Sequence, residues 1–390
     1  MSRTDPAVLI SGGGIGGLAA ALALARTGQS VRVLEQASAF GEIGAGIQLA
    51  PNALRVLDSL GVLGHVLENA VFPDYAVMID ALSGQEITRV DLGPAFVQHY
   101  GHRYLVVHRQ DLLEALLRGC REQVGIELVT GRTVQSFEQH AGGVEVRCTD
   151  GTTDRGLALV GADGLRSPVR GQMLDDGPPD FSGHLCYRGV VPMDQIPDRD
   201  YVNAMALWVG PNMHLVQYPL RQAKLMNNVA VIVSQQHLRG EASYGGWDEV
   251  EELFSPALPR VRDMLKYIER ERNWPLHDRN PSPHWTQERV TLLGDAAHPT
   301  LQNMAQGACM ALEDATVLAQ HVTFAQGDFK AAFQAYQQDR YLRTARVQIS
   351  ARFMAKLVHV GGGARDVRNA VLSKRSSNGF PELDWLYQGP

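Results

Sequence analysis

The chain has 390 residues, enough for two or three domains around a core that buries roughly three quarters of the surface an unfolded chain exposes. Thirty-six basic against 42 acidic residues give a net charge of −6 with both signs scattered, which excludes the basic block that a nucleic-acid partner needs. The four cysteines, Cys120, Cys148, Cys186 and Cys309, form neither a CxxC pair nor a His/Cys cluster, so reduced thiols and no metal site are expected.

The first residues, MSRTDPAVLISGGG, run straight into an apolar strand, and no cleavable leader is expected. No apolar run approaches the roughly 18 residues of a membrane span, and a cytoplasmic protein is expected. Val8 to Glu35 predicts strand, turn, helix, strand, because Val- and Ile-rich ends flank a glycine turn and an alanine-rich run free of Pro. Gly12, Gly14 and Gly17 form GxGxxG: a tight turn, bare backbone for a pyrophosphate, and close contact between helix and strand. A helix from near Ile15 aims unpaired N–H groups and its positive dipole end at that pyrophosphate. Glu35, 18 residues beyond Gly17, suits a ribose diol and disfavours a 2′-phosphate, so the site fits FAD or NAD rather than NADP.

Gly41, Gly44 and Gly46 then make a loop that either lies against the cofactor or is an ordinary surface connection, and Pro51 starts a helix. Residues 71–100 predict a small antiparallel excursion, followed by a strand from Tyr104 to Val107 and a helix from about Gln110. Arg109 stands at that junction, where it reaches the cofactor or merely begins the helix. A hairpin through Gly142 and Gly143 leads to an apolar strand ending at Asp163 and Gly164. From about Phe181 the runs CYRGVVPM, VNAMALWVG, MHLVQYPL and VAVIVSQQ predict a mainly antiparallel sheet, hence a second domain. Residues 247–268 read as helical, and Trp274 to Trp285 as a proline-bearing return.

A strand, an irregular loop and a helix from about Gly307 follow, and the tail from Phe329 is mostly helical to about Val358. Asp295 closes an apolar strand, where its carboxylate can meet a diol. A helix-capping role alone would not account for the loop rich in Gly, Ala and Gln behind it. In MHLVQYPL, His214, Val216 and Tyr218 share one strand face. They are either half-buried sheet residues with satisfied hydrogen bonds or a pair that reaches opposite ends of one small ring. Arg188 and Arg221 are carboxylate partners or surface salt-bridge formers.

GGGIGG at 12–17, GADGLRSPVR at 161–170 and GDAAHPTLQNMAQGACMALEDA at 294–315 occur in that order, with an antiparallel segment between the second and third. Together they resemble the single-component, FAD-dependent aromatic hydroxylases of the para-hydroxybenzoate hydroxylase type over nearly the whole chain. The resemblance implies an α/β fold with a Rossmann-like FAD-binding domain at 1–180 and 286–325, an inserted antiparallel substrate domain at 181–285 and a helical segment at 326–390. It also implies non-covalent FAD, NADH as co-substrate, O2, a small aromatic acid, and room for a homodimer.

Residue by residue, Gly12, Gly14, Gly17 and Glu35 match the ADP fingerprint, and Arg109 matches an arginine at the ribityl and phosphate region. Asp163 with Gly164 matches a motif shared by FAD and NAD(P)H, Asp295 matches the acid on the FAD ribose, and Gly307 matches backbone approaching the flavin ring. Cys309 stands where the type enzyme has a ring-contacting asparagine, so no side-chain role carries over. YRGVVP at 187–192 and VGPNMHLVQYPLR at 209–221 resemble members that hydroxylate hydroxybenzoates. The reaction implied is 3-hydroxybenzoate to 2,5-dihydroxybenzoate through a flavin hydroperoxide at C4a, with salicylate or 6-hydroxynicotinate as neighbouring substrates. His214 is then the proton acceptor with Gln302 assisting, while Tyr218 and Tyr104 orient the substrate and its carboxylate. An NAD-dependent dehydrogenase would leave the acidic strand end at Gly294 and Asp295 without a purpose, and a non-catalytic flavin-binding protein would keep the fold without the chemistry.

Overall fold

A continuous apolar run makes a strand where both of its faces are covered, and Val8, Leu9 and Ile10 are completely buried in β1 (Ala7–Ser11). In the computed structural model, which describes residues 7–41, 45–196 and 200–389, a glycine turn leads from β1 to α1 (Ile15–Arg26) and β2 (Val31–Leu34). Gly44 of the predicted loop lies outside the described residues. The chain continues through β3 (Gly46–Leu49), β4 (Tyr75–Asp80), β5 (Glu86–Asp91), β6 (Leu105–His108), β7 (Ile126–Val129), β8 (Val134–His140), β9 (Gly143–Cys148) and β10 (Thr153–Gly161). Then come β11 (Asp180–Pro192), β12 (Ala204–Gly210), β13 (Met213–Leu220), β14 (Leu225–Val233), β15 (Trp274–Asp278), β16 (Thr286–Gln287) and β17 (Val290–Leu292). Helices α2 (Gly307–Phe324), α3 (Phe329–Val358) and α4 (Gly362–Leu372) follow, so the helical tail runs past Val358.

The first sheet has the order β16-β17-β10-β1-β2-β7, parallel from β17 to β7, with the β8–β9 hairpin joined antiparallel to β10. The chain steps from β1 to β2 on one side and reaches β10 on the other, so a crevice opens at the carboxyl ends of β1, β10 and β17. α1 packs on this sheet and against α2. A Cβ on Gly16 would lie 2.8 Å from the Leu293 side chain and 3.2 Å from the Ala311 Cβ, so glycine there permits the approach of the two helices.

The second sheet, β15-β11-β14-β13-β12-β4-β5, is antiparallel except where β4 lies beside β12. Residues 71–100 contain the expected antiparallel pair, but β4 and β5 extend this second sheet instead of standing apart. The cause is apolar: Val77 and Ile79 join Ala206 and Trp208 of β12 in one core, with Val250, Phe254 and Val261 covering them from the following helices.

A second buried element is ionic. Arg340 on α3 is fully buried, its Nε 2.7 Å from Asp314 and its Nη2 2.8 Å from Glu313, both on α2. Arg340→Met leaves two buried carboxylates short of a partner and should cost about 3–5 kcal/mol, measured by denaturant unfolding. An unchanged midpoint would show that the pair is dispensable.

Candidate active site

The crevice deepens into a cavity of about 820 Å³ that runs from the glycine turn to one face of the second sheet. At its first end Gly12 has φ +105, and a Cβ there would sit 2.4 Å from the Ala162 carbonyl oxygen. Gly14 lines the cavity just before α1, whose first N–H groups are unpaired within the helix. Gly17 lies under the turn, where a Cβ would be 2.0 Å from the Gly12 oxygen, so its place is the contact between helix and strand. Glu35 accepts from the N–H groups of Gly13 at 2.7 Å and Ala37 at 2.8 Å, which fixes its carboxylate at the cavity edge. Gly41 and Gly46 also line the cavity, so the described part of the glycine loop faces it.

Asp163 accepts from Ser11 Oγ at 3.3 Å and from the Val169 N–H at 3.4 Å, while its Oδ1 is buried without a protein partner among the described residues. Burial raises its carboxyl above the ordinary value against the hydrogen bonds of Ser167, Val169 and Ser11. Asp295, in the turn Gly294–Ala296 after β17, is likewise raised by burial, with Arg109 and His298 opposing. Arg109 begins the helix Arg109–Glu122 and lines the same cavity, and Gly307 opens α2 there. Two helix N-termini, bare glycine backbone, two acids on the cavity wall and an acceptor atom left over form a donor and acceptor set that fits an adenine dinucleotide.

The other end is built by side chains that alternate on the second sheet. His214, Val216 and Tyr218 of β13 face the cavity beside Arg188 of β11, Met205 and Leu207 of β12, and Val229 of β14; Gln302 closes the wall. Tyr104 is not in this wall. It lies behind it, 5% exposed, and its hydroxyl donates to Gln48 Oε1 at 2.7 Å. Gln48, on β3, is the residue that reaches the cavity, which Tyr218 also lines. Arg221 is outside as well, forked onto Asp111 at 3.0 and 3.1 Å, which leaves Arg188 as the cavity's arginine of the two. Cys309 is buried against the carbonyls of Ala305 and Gln48, and burial pushes its thiol up to about 12.

His214 is 3% exposed, and its Nδ1 lies 2.7 Å from Nε2 of His359, the residue that caps the carboxyl end of α3. Burial, helped by His184, brings the His214 imidazole down to about 3; burial also lowers His359.

Two outcomes follow from this geometry. Asp295→Ala removes a charged acceptor and should weaken FAD binding by about 1.5–3 kcal/mol, read as flavin content and Kd; unchanged affinity would exclude the contact. The two imidazoles are neutral in the fold and titrate near 6.5 when unfolded, so the unfolded chain binds the extra protons. Their contribution to stability is therefore full above about pH 6.5 and is lost as pH falls toward about 3. Thermal unfolding of His214→Gln between about pH 5 and 7 should fall less steeply than that of the parent, and equal slopes would contradict this.

Residues 5–348 match the family described as FAD binding domain. The chain is 44% identical over 384 residues to the 3-hydroxybenzoate 6-hydroxylase of Polaromonas naphthalenivorans (strain CJ2), across 98% of this chain and 96% of that one. To the 3-hydroxybenzoate 6-hydroxylase of Klebsiella oxytoca it is 42% identical over 388 residues, across 99% and 97% of the two chains. The solved structure of Klebsiella pneumoniae HpxO with FAD and uric acid superposes with a TM-score of 0.85 at 25% identity, across 100% of this chain and 98% of that one. A salicylate hydroxylase substrate complex shares the fold at a TM-score of 0.82 and 23% identity, across 100% and 97% of the chains. With the dinucleotide cavity already built from its own residues, the chain belongs to the FAD-binding-domain family of flavin-dependent aromatic-ring monooxygenases, and its cofactor is FAD.

Proposed function

We propose that this monooxygenase converts 3-hydroxybenzoate to 2,5-dihydroxybenzoate, with NADH as electron donor and O2 as oxygen source. The observation that carries the reading is the single face of β13 on which His214 and Tyr218 open, together with Arg188, into the cavity that holds the glycine turn. The relatives in Polaromonas naphthalenivorans and Klebsiella oxytoca bear the name of that reaction. The whole-chain likeness to single-component hydroxylases supports NADH acting directly, and with the one GxGxxG unit assigned to FAD the sequence offers no second such fingerprint and no clear signal of a covalent flavin attachment.

Bound FAD supplies the redox chemistry that carries electrons to O2. The protein's task is to seat the ring, remove its phenolic proton and keep water out. Arg188 offers a charge to the substrate carboxylate, and Tyr218 with Gln302 supplies hydrogen-bonding groups at the ring. Tyr104 acts through Gln48, holding that amide in place. Val216, Met205, Leu207 and Val229 form the apolar part of the wall. A phenol titrates near 10, so a neutral imidazole brought down to about 3 takes its proton only because the resulting phenolate and imidazolium attract across a dry wall. Loss of that proton makes the ring carbon para to the oxygen electron-rich, and in 3-hydroxybenzoate this carbon is unsubstituted.

The same reading assigns FAD binding to 1–180 and 286–325, substrate binding to 181–285 with the strands at 75–91 added, and a helical segment to 326–390. Leu342, Ile349 and Phe353 lie exposed on one face of α3, spaced seven and four residues apart, and support a homodimer contact. Among the described residues no helix is long and apolar enough to cross a membrane. A cytoplasmic location is part of the proposal.

Incubation with NADH and a panel of hydroxybenzoates should yield 2,5-dihydroxybenzoate from 3-hydroxybenzoate. Catechol from salicylate, with no turnover of 3-hydroxybenzoate, would assign a decarboxylating hydroxylase instead. His214→Ala should form product about 10²- to 10⁴-fold more slowly while NADH is still consumed and hydrogen peroxide is released. A variant that stays coupled would leave His214 a sheet residue. Stopped-flow reduction by NADH should accelerate when 3-hydroxybenzoate is bound, and equal rates would remove that control.

A further inference from the structure

A histidine that accepts a proton at one ring nitrogen must carry its own proton on the other, and nothing in the ring itself enforces that choice. In this chain the choice is made at the end of α3. His214 Nδ1 and His359 Nε2 are 2.7 Å apart, the rings are stacked at 4.8 Å with 25° between their planes, and both residues are buried. Two neutral imidazoles at that distance share a single proton, so one ring donates and the other accepts.

The surroundings of His359 select the direction. Its Nδ1 has no hydrogen-bond partner among the described residues, but the ring sits at the carboxyl end of α3, where the negative end of the helix favours a proton on it. A proton on His359 Nδ1 leaves Nε2 as a lone pair. That lone pair accepts from His214 Nδ1–H, and His214 Nε2 is left unprotonated on the side that opens into the cavity.

We propose that His359 is a positioning residue of the hydroxylation site: it holds His214 in the Nδ1–H tautomer, so that Nε2 can accept the phenolic proton, and it shares the positive charge that then appears on His214. The inference rests on the base role proposed for His214 and adds the group that makes that role available. The balance is simple: the phenol O–H bond breaks, an Nε2–H bond forms on His214, and the Nδ1–H proton moves toward His359 Nε2. His359 caps the negative end of a helix of 30 residues, where an imidazolium is favoured, which opposes the cost of burial. The other charged or titratable groups at the pair are His184 on β11, 5.1 Å from the His359 ring and acted on by Asp278, and Arg368 on α4, which is paired with Asp80. Arg188 of β11 faces His214's side of the cavity. His184 and Arg368 oppose a cation here, so the pair stays neutral until a phenolate forms beside it.

The test uses the FAD-loaded full chain with 3-hydroxybenzoate bound in the absence of oxygen. Nitrogen-15 histidine spectra, assigned with His214→Gln, should show His214 protonated at Nδ1 and bare at Nε2; a proton on Nε2 in the parent protein would overturn the proposal. The absorbance of bound 3-hydroxybenzoate, titrated with pH, should show phenolate appearing at least tenfold less readily in His359→Ala. In His359→Gln, whose amide oxygen can accept from Nδ1–H, most of that loss should be recovered. An unchanged titration in His359→Ala, or a loss that His359→Gln does not relieve, rejects tautomer control. If His359→Ala does not fold, the spectra of the parent and the His359→Gln titration decide alone. If His214→Gln leaves the phenolate titration unchanged, the base role itself fails; if only the His359 variants do so, the base role stands and this inference falls.

Discussion

The carboxylate of Asp314 is the point on which the cofactor half of the site depends. It accepts from the Gly294 N–H at 3.0 Å, from His298 Nε2 at 2.6 Å and from Arg340 Nε at 2.7 Å, all buried. Gly294 and His298 bracket Asp295, so this one acid on α2 clamps the turn that presents Asp295 to the cavity. Its neighbour Glu313 accepts from Asn52 at 2.7 Å, and Asn52 also donates to Gln306 at 2.9 Å, which ties the end of the same loop to the start of α2. Arg340 and Arg343 balance the two acids, and Arg343 reaches on to the Leu386 carbonyl at 2.9 Å. Leaving any one of these charges alone in a dry interior is costly, so the loop, α2, α3 and the chain end are held as a unit.

The parts that were legible in the sequence are those whose physics is local. GxGxxG, the alanine-rich helix and Glu35 fall within a single strand-helix-strand unit, and their spacing alone places them at one strand end. The alternation of β13 likewise put His214 and Tyr218 on one face without reference to any other element. What stayed hidden depends on contacts across the chain. The pairing of β4 with β12 joins residues about 130 apart, and an isolated hairpin with the same alternation reads identically. Gln48 carries no signal on a four-residue strand, and only the β3–β6 pair brings it between Tyr104 and the cavity. Tyr104 resembles a cavity residue by position in the chain, yet its side chain turns into the core beside Tyr387, 6.1 Å between rings. His359 lies past the end of a long helix, where its sequence context marks it only as a cap.

The two readings of His214, a satisfied sheet histidine and the proposed proton acceptor, do not exclude each other, because Nδ1 is held against His359 while the residue also lines the cavity. Its neutrality is the useful property. A lysine or arginine at that place would bind a phenolate but would arrive already protonated, and so could not remove the phenolic proton. An aspartate or glutamate would become neutral on accepting the proton and so offer the phenolate no attraction, and while charged it would compete for Arg188. In the proposed role a buried, neutral imidazole would add no charge to the wall before the ring ionises and would gain one only as the phenolate forms. The attraction between the two new charges would then appear together with the electron-rich ring and disappear when the proton returns. The acids Glu35, Asp163 and Asp295 line the other end of the cavity, where Glu35 and Asp163 accept from amide and hydroxyl donors.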